Sequence, residues 1–336
     1  MDISALGERG IARTPLDVAE AYSGARLERV ELTDGQVVVA KHLPAEGDWL
    51  TRVTDGLGRA HLLWHSGLLR RLEPAVEHGI LAVERQDDHD VVVMTDLSER
   101  LWPHTAPLDR STVRGALAGL GELHRLGQRL VAGDDFGELQ LCTVGARYGM
   151  FARPFQIDDS GPNRHPGRDR ILAGWDVFGE AVDTDVRDAV AVVHADPEGF
   201  GRRLAAHCTS RTVLHGDMKP ENLGMRGGRL IAIDWGELTG LGPREVDVAW
   251  FALMSTRARL DATPDEVFSV YEEVTVSALD PTILDLACIG SLAQMGFRLA
   301  GAARFGSRPE ERHAAAARLA WWTGRVRAAL ARGRTP

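Results

Sequence analysis

The chain of 336 residues sets 39 Lys and Arg against 48 Asp and Glu, a formal net charge of -9, with 44% hydrophobic and 26% charged residues. This is the balance of an ordinary globular protein long enough for two lobes, and it excludes the basic footprint that a nucleic-acid partner requires. The N-terminus has no basic start followed by an apolar run, no stretch approaches the roughly 18 apolar residues of a membrane span, and Cys142, Cys208 and Cys288 are too scattered for a disulfide framework or a zinc site. The expected compartment is a reducing cytoplasm, with no membrane partner and the cysteines used in packing.

In chain order, 26–32 alternates as a strand, Thr33-Asp34-Gly35 signals a turn, and 36–43 is a β-branched run. The pattern predicts a hairpin with Lys41 near the end of its second strand. Residues 57–72 predict one amphipathic helix with Leu57, Ala60, Trp64, Leu68 and Leu72 on one face. Two further strands, 80–83 and 91–94, flank the polar stretch 84–90. Together these make a small β-rich lobe over residues 1–97.

Beyond Pro107 the pattern turns helical. Ser111 is placed to cap a helix carrying Val113, Leu117, Leu120 and Leu123. The Gly, Pro and Asp-rich stretch 155–170 reads as a loop or insertion. Helices are expected near 186–193 and 198–208, a compact β element over 212–235, and helices to the end, forming a larger lobe over 98–336.

The chemistry concentrates in 212–250, TVLHGDMKPENLGMRGGRLIAIDWGELTGLGPREVDVAW. Val213 and Leu214 end a short strand that His215-Gly216-Asp217 breaks into a loop, and Pro220 keeps that loop out of helix or ladder. Gly227-Gly228 is a two-residue hairpin signal. Pairing outward sets Arg226 against Arg229, Met225 against Leu230 and Asn222 against Ile233. Asn222 then lies beside Asp234 at the open end of the hairpin, with Asp217 on the entry loop. Such oxygen ligands suit Mg²⁺, which takes one or two carboxylates and fills its shell with phosphate oxygens and water. The only two lysines are Lys41 and Lys219, and a lysine supplies a compact positive charge for phosphate. Asp and Asn also favour turns, but their joint spacing here points to chemistry. No GxxxxGK loop occurs, which argues against a P-loop NTPase.

The pattern HGD-x4-N followed by IDW, with a lysine on an upstream strand and Leu120-Gly121-Glu122-Leu123-His124 on a helix, resembles the aminoglycoside phosphotransferase and choline kinase group. The resemblance runs from about residue 26 to 251 and is specific around Lys41 and over 215–250. It implies an α+β, two-lobed protein-kinase-like fold using ATP and Mg²⁺ to phosphorylate a hydroxyl of a small molecule. By the resemblance, Lys41 binds the α- and β-phosphates, Asp217 orients the acceptor hydroxyl and takes its proton, and Asn222 and Asp234 hold Mg²⁺. Asp247 braces the catalytic loop, which His215 supports. Lys219 follows the protein-kinase version of the motif and is placed to touch the γ-phosphate. Ser23, in the thin glycine-loop candidate Tyr22-Ser23-Gly24-Ala25, is a nucleotide contact to test. By fold analogy, adenine sits against 93–97, where Met94 and Asp96 are the candidate residues.

Two features depart from the group. Its lysine pairs with a glutamate on the first-lobe helix, yet 57–72 holds no acidic residue, with Arg59 and His61 in that place and Asp48 or Asp55 nearby. A clear Gly-rich phosphate loop is also missing. A nucleotide-binding pseudokinase is therefore one alternative, and a Ser/Thr kinase acting on a peptide is another. Only twelve residues separate Asp234 from Asp247, which leaves little room for a peptide platform and favours small acceptors. Segments 156–200 (ten acidic, four basic) and 257–286 (seven acidic, two basic) suggest a pocket for a cationic acceptor such as an aminoglycoside or amino-sugar.

Overall fold

The turn at Thr33-Asp34-Gly35 joins strands Arg26–Leu32 and Val37–Leu43 through Gly35 at φ +78, a left-handed conformation that glycine adopts without penalty. Asp34 Oδ1 accepts the Gln36 amide at 3.1 Å and holds the turn. The structure, a computed structural model, describes residues 10–16, 25–44, 49–86, 89–103, 107–133, 139–152, 167–255 and 262–336. Ser23 and Asp48 lie outside the described residues, as does most of the proposed insertion at 155–170.

With Gly10–Leu16 as β1, the hairpin strands are β2 and β3; Val76–Glu77 is β4, Ile80–Gln86 β5 and His89–Thr95 β6. An antiparallel sheet runs β1-β2-β3-β6-β5. Sequence patterning missed β1 because it is an edge strand carrying Pro15, with the described side chains largely exposed, so it shows no alternation. Val30, Leu32, Val38, Ala40, Ala82, Val91 and Val93 pack together as a small core of this sheet. The register sets Lys41 opposite Leu27 and Val92.

The single helix expected over 57–72 is in fact broken. Trp49–Val53 (α1), Arg59–His65 (α2) and Leu68–Leu72 (α3) are separate, divided by Gly58 and Gly67 at φ +72 and +73. Each glycine interrupts the helical ladder while the apolar face continues across the break: Ala60, Leu63, Leu68, Leu69 and Leu72 are all buried. Leu57, counted on that face, precedes α2 and is 59% exposed.

The rest is chiefly helical: α4 Arg110–Gly133, α5 Val144–Gly149, α6 Arg168–Ala181, α7 Thr184–Ala195, α8 Pro197–Ala206, α9 Glu245–Ser255, α10 Pro264–Thr275, α11 Pro281–Phe305 and α12 Pro309–Ala331. The cap of α4 is Asp109 rather than Ser111, since Asp109 Oδ1 accepts the Thr112 amide at 2.7 Å. Between α8 and α9 lie β7 Thr212–Leu214, β8 Leu223–Arg226, β9 Arg229–Ala232 and β10 Gly240–Gly242. The β8–β9 hairpin has the expected pairing, Met225 with Leu230 and Arg226 with Arg229. Pro220 opens a single 3₁₀ turn, Pro220–Asn222, so the loop is not free of helix as expected. Its missing N–H costs nothing at a helix start.

Helix α11 corrects another expectation. By length and composition it is apolar enough to cross a membrane, yet 94% of its most apolar window is buried in the protein. It packs against α6, α7, α9 and α12 as the central core helix. The main core spans both halves of the chain, running from Leu63, Leu69 and Val92 to Trp250, Leu292 and Trp322. Strand β4 joins the halves further by pairing in parallel with β9. Cys142 and Cys288 are buried, Cys208 is partly so, and all three thiols are free.

Candidate active site

The loop after β7 is held from below. Gly216 takes φ +88, and a Cβ there would stand 2.0 Å from the Leu238 carbonyl oxygen, so only glycine fits. Asp247 of α9, fully buried, accepts the His215 amide at 2.8 Å and the Gly216 amide at 3.1 Å. Arg147 of α5 donates to the same carboxylate at 3.0 Å, and the His124 imidazole of α4 stands 3.6 Å away. Burial by itself would raise the Asp247 carboxyl; His124 and the Arg147 guanidinium outweigh it and hold the group well below the usual carboxylate range. His215 accepts the Asp217 amide on Nδ1 at 3.2 Å and donates from Nε2 to the Ile233 carbonyl at 2.9 Å. These partners assign the neutral Nε2–H tautomer, in keeping with a pKa lowered by burial.

Asp217 is thereby set with both oxygens engaged. Oδ1 accepts from Trp250 Nε1 at 3.2 Å; Oδ2 accepts from Lys219 Nζ at 2.7 Å and from Asn222 Nδ2 at 3.0 Å. Asn222 Nδ2 also donates to the Asp217 carbonyl at 3.0 Å, and the Asn222 carbonyl accepts the Ile233 amide at 2.9 Å. The short 3₁₀ turn and the hairpin end therefore share one residue between Asp217 and Asp234.

Asp234 adopts φ +69, a left-handed backbone that costs roughly 1–2 kcal/mol outside glycine and persists only where its surroundings impose it. Its Oδ1 accepts from Lys41 Nζ at 2.6 Å. Lys41 is the main reason its carboxyl sits far below the ordinary range; Lys219 adds to the effect and burial opposes it. Lys219 is itself raised: burial would lower it, but Asp217 and Asp234 more than compensate. Both lysines of the chain thus act on the two carboxylates.

Lys41, Ile80, Val92, Met94, Asp234 and Glu237 line one small cavity between the sheet and this loop. The structure thus gathers Lys41, Asp217, Lys219, Asn222 and Asp234, with Met94 at the same cavity. Asp96 directs its carboxylate elsewhere, to Arg29 at 2.7 Å and the Ser98 amide at 3.1 Å. Strand β6 ends at Thr95, so segment 96–97 lies beyond its ladder, and the Leu97 carbonyl accepts the Arg100 and Leu101 amides at 2.8 and 3.1 Å.

The donor set fits Mg²⁺. Asp234 supplies a carboxylate, and Asn222 supplies an amide oxygen that accepts no hydrogen bond among the described residues. No group of three or more His, Cys, Asp and Glu able to hold a metal occurs among them. Few hard oxygen donors beside lysines suit an ion that completes its shell with phosphate and water.

Two contributors escaped the sequence reading. Trp250 lies three residues after Asp247 on the same helix, a spacing that puts both on one face and offered a usable signal. Arg147 offered none. Its guanidinium, 2% exposed, stacks 5.0 Å from the Trp250 ring centre and joins the network from 100 residues away.

Residues 17–282 match the model of the APH phosphotransferase enzyme family. Among solved structures, the choline kinase LicA from Streptococcus pneumoniae aligns with 94% of this chain and 94% of its own, at TM-score 0.54 and 14% identity. Spectinomycin phosphotransferase APH(9)-Ia, solved with ADP and spectinomycin, aligns with 95% of this chain and 93% of its own, at TM-score 0.54 and 10% identity. At such identities the likeness is one of fold. No curated protein matches the sequence.

Proposed function

This chain belongs to the phosphotransferase enzyme family, and from that premise we propose that it moves the γ-phosphoryl of ATP, with Mg²⁺, to a hydroxyl of a cationic small molecule such as an aminoglycoside or amino-sugar. One observation carries the reading: Lys41, the only lysine of the sheet, meets Asp234 at 2.6 Å beside Asp217 and Asn222. Lys41 holds the α- and β-phosphates, and Asn222 and Asp234 hold the metal. When bound, Mg²⁺ neutralises charge on the phosphates. Asp217 fixes the acceptor hydroxyl by the oxygen that Lys219 and Asn222 now share. The acceptor oxygen bonds to the γ-phosphorus as the bond to the β-phosphate oxygen breaks; ADP leaves and the hydroxyl proton passes to Asp217. Lys219 is then positioned for the transferred phosphoryl group. Adenine rests near Met94 and the backbone at Asp96, and Ser23 belongs to the phosphate side. In this reading the nucleotide lobe is 1–97 and the acceptor lobe 98–336, and the reaction takes place in the cytoplasm.

A small acceptor is favoured over a peptide by the path from Asp234 to Asp247. The Gly236–Thr239 turn, β10 paired onto β7, and the start of α9 occupy it. The cationic preference rests on the acidic balance of 156–200 and 257–286. ADP release measured across aminoglycosides, amino-alcohols, sugars and peptides tests the proposal. The expected result is release stimulated by one cationic small molecule and abolished by Asp217→Ala. Phosphate transferred only to peptide, or ATP binding without turnover on any acceptor, would overturn it.

A further inference from the structure

Arg59 opens α2 in the place where the resemblance led one to expect an acidic partner for Lys41. It is 3% exposed, and burial lowers its pKa from the usual guanidinium value. Its five N–H groups meet five acceptors. Nε donates to the Gln140 carbonyl at 2.8 Å. Nη2 donates to the Thr54 and Asp55 carbonyls, both at 2.9 Å. Nη1 donates to Thr54 Oγ1 at 3.5 Å and to the Glu237 carbonyl. Four of the five are backbone carbonyls, drawn from three separate stretches of chain. A rigid, permanently charged fork fits such a set; lysine, with three donors on one atom, does not.

The turn that feeds this fork is built for close approach. Asp55 takes φ +48 and so presents its carbonyl to Nη2. A Cβ on Gly56 would stand 2.8 Å from Arg59 Nη1 and 3.3 Å from the Glu237 Cα. The first-lobe turn thus lies directly on the segment that follows Asp234. From the other side, His215 and Asn222 hold Ile233 just before it. Asp234 sits between these two anchors in its left-handed conformation.

We infer that Arg59 is a positioning residue for the metal-binding segment: by gripping the Glu237 carbonyl it keeps Asp234 in the conformation that meets Lys41 and the nucleotide-bound metal. The inference rests on the proposed assignment of Asp234 as a metal ligand. In this chain the first-lobe helix acts on the metal side of the site through backbone hydrogen bonds from a cation.

The test is ADP binding by calorimetry with and without Mg²⁺, on the intact chain, together with amide exchange over 234–238. In the unaltered protein Mg²⁺ strengthens ADP binding. Arg59→Gln loses that enhancement by about tenfold or more, as outer-shell changes commonly do, while metal-free ADP binding stays within about twofold, a split that general loosening would not produce. Exchange over 234–238 quickens, and Arg59→Lys recovers only part of the effect. Arg59→Lys, which keeps the cation but cannot serve all five acceptors, decides the matter if Arg59→Gln does not fold, by losing part of the enhancement. A full Mg²⁺ enhancement in Arg59→Gln, or in Arg59→Lys where Arg59→Gln does not fold, would overturn the inference. Absence of any enhancement in the unaltered protein would instead overturn the metal-ligand assignment on which it stands.

Discussion

Lys41 Nζ and Asp234 Oδ1 lie 2.6 Å apart across 193 residues of sequence. The contact ties the sheet of the first half to the hairpin end of the second and sets the charge state of the site. Removing the lysine leaves the Asp234 carboxylate with less to hold it ionised and, in the proposed function, leaves the phosphates without their compact cation. Lys41→Met is expected to lower kcat/KM for ATP on the order of 10²-fold, with little change in melting temperature. Steady-state kinetics over a range of ATP concentrations checks it, and unaltered kinetics would clear Lys41 of the role.

Asp217 has neighbours that outlast its removal, since the loop is anchored through the backbone amides of His215 and Gly216. Asp217→Ala is expected to cost about 10²-fold or more in kcat and to leave ATP affinity nearly intact. Turnover near that of the parent would count against Asp217 as the proton acceptor.

The chain has only two lysines, and both face the carboxylates of the site. An amine-acylating reagent is therefore expected to modify no side-chain amine outside the site, and saturating ATP with Mg²⁺ to slow both modifications at least about tenfold. Peptide mass mapping reads the result directly. Labelling that nucleotide leaves unaffected would place the triphosphate elsewhere.

Asp247 and Arg147 form a fully buried pair. Breaking it strands a charge, so Arg147→Leu is expected to destabilise the fold by about 3–5 kcal/mol, read by urea unfolding. The pH dependence follows from the depressed Asp247 carboxyl. Its stabilisation is fully present above the ordinary carboxylate range and is lost as the pH falls through the lower, folded-state value. The stability gap between the parent and Asp247→Asn should therefore narrow with acid; a gap that is constant or widens would contradict the assignment.

Much of this site was legible because it is local. The Gly227-Gly228 turn fixes the pairing of its own strands, and that pairing brings Asn222 to Ile233 whatever the rest of the chain does. The apolar period of 57–72 was equally clear, but the breaks at Gly58 and Gly67 were not, because glycine in a helical pattern reads the same whether it stays helical or turns left-handed. The strand at 10–16 stayed hidden because an exposed edge carries no alternation to detect.

By itself the sequence determined the β8–β9 hairpin and the pairing that brings Asn222 to Ile233, because turn chemistry acts over a few residues. Only the tertiary structure decided that Lys41 reaches Asp234, that Arg147 closes on Asp247 and that Arg59 grips the Glu237 carbonyl, over separations of 193, 100 and 178 residues. A buried arginine and an exposed one look alike on a helix. What distinguishes them is which distant backbone arrives beside them, and that is set by the packing of whole elements rather than by any local pattern.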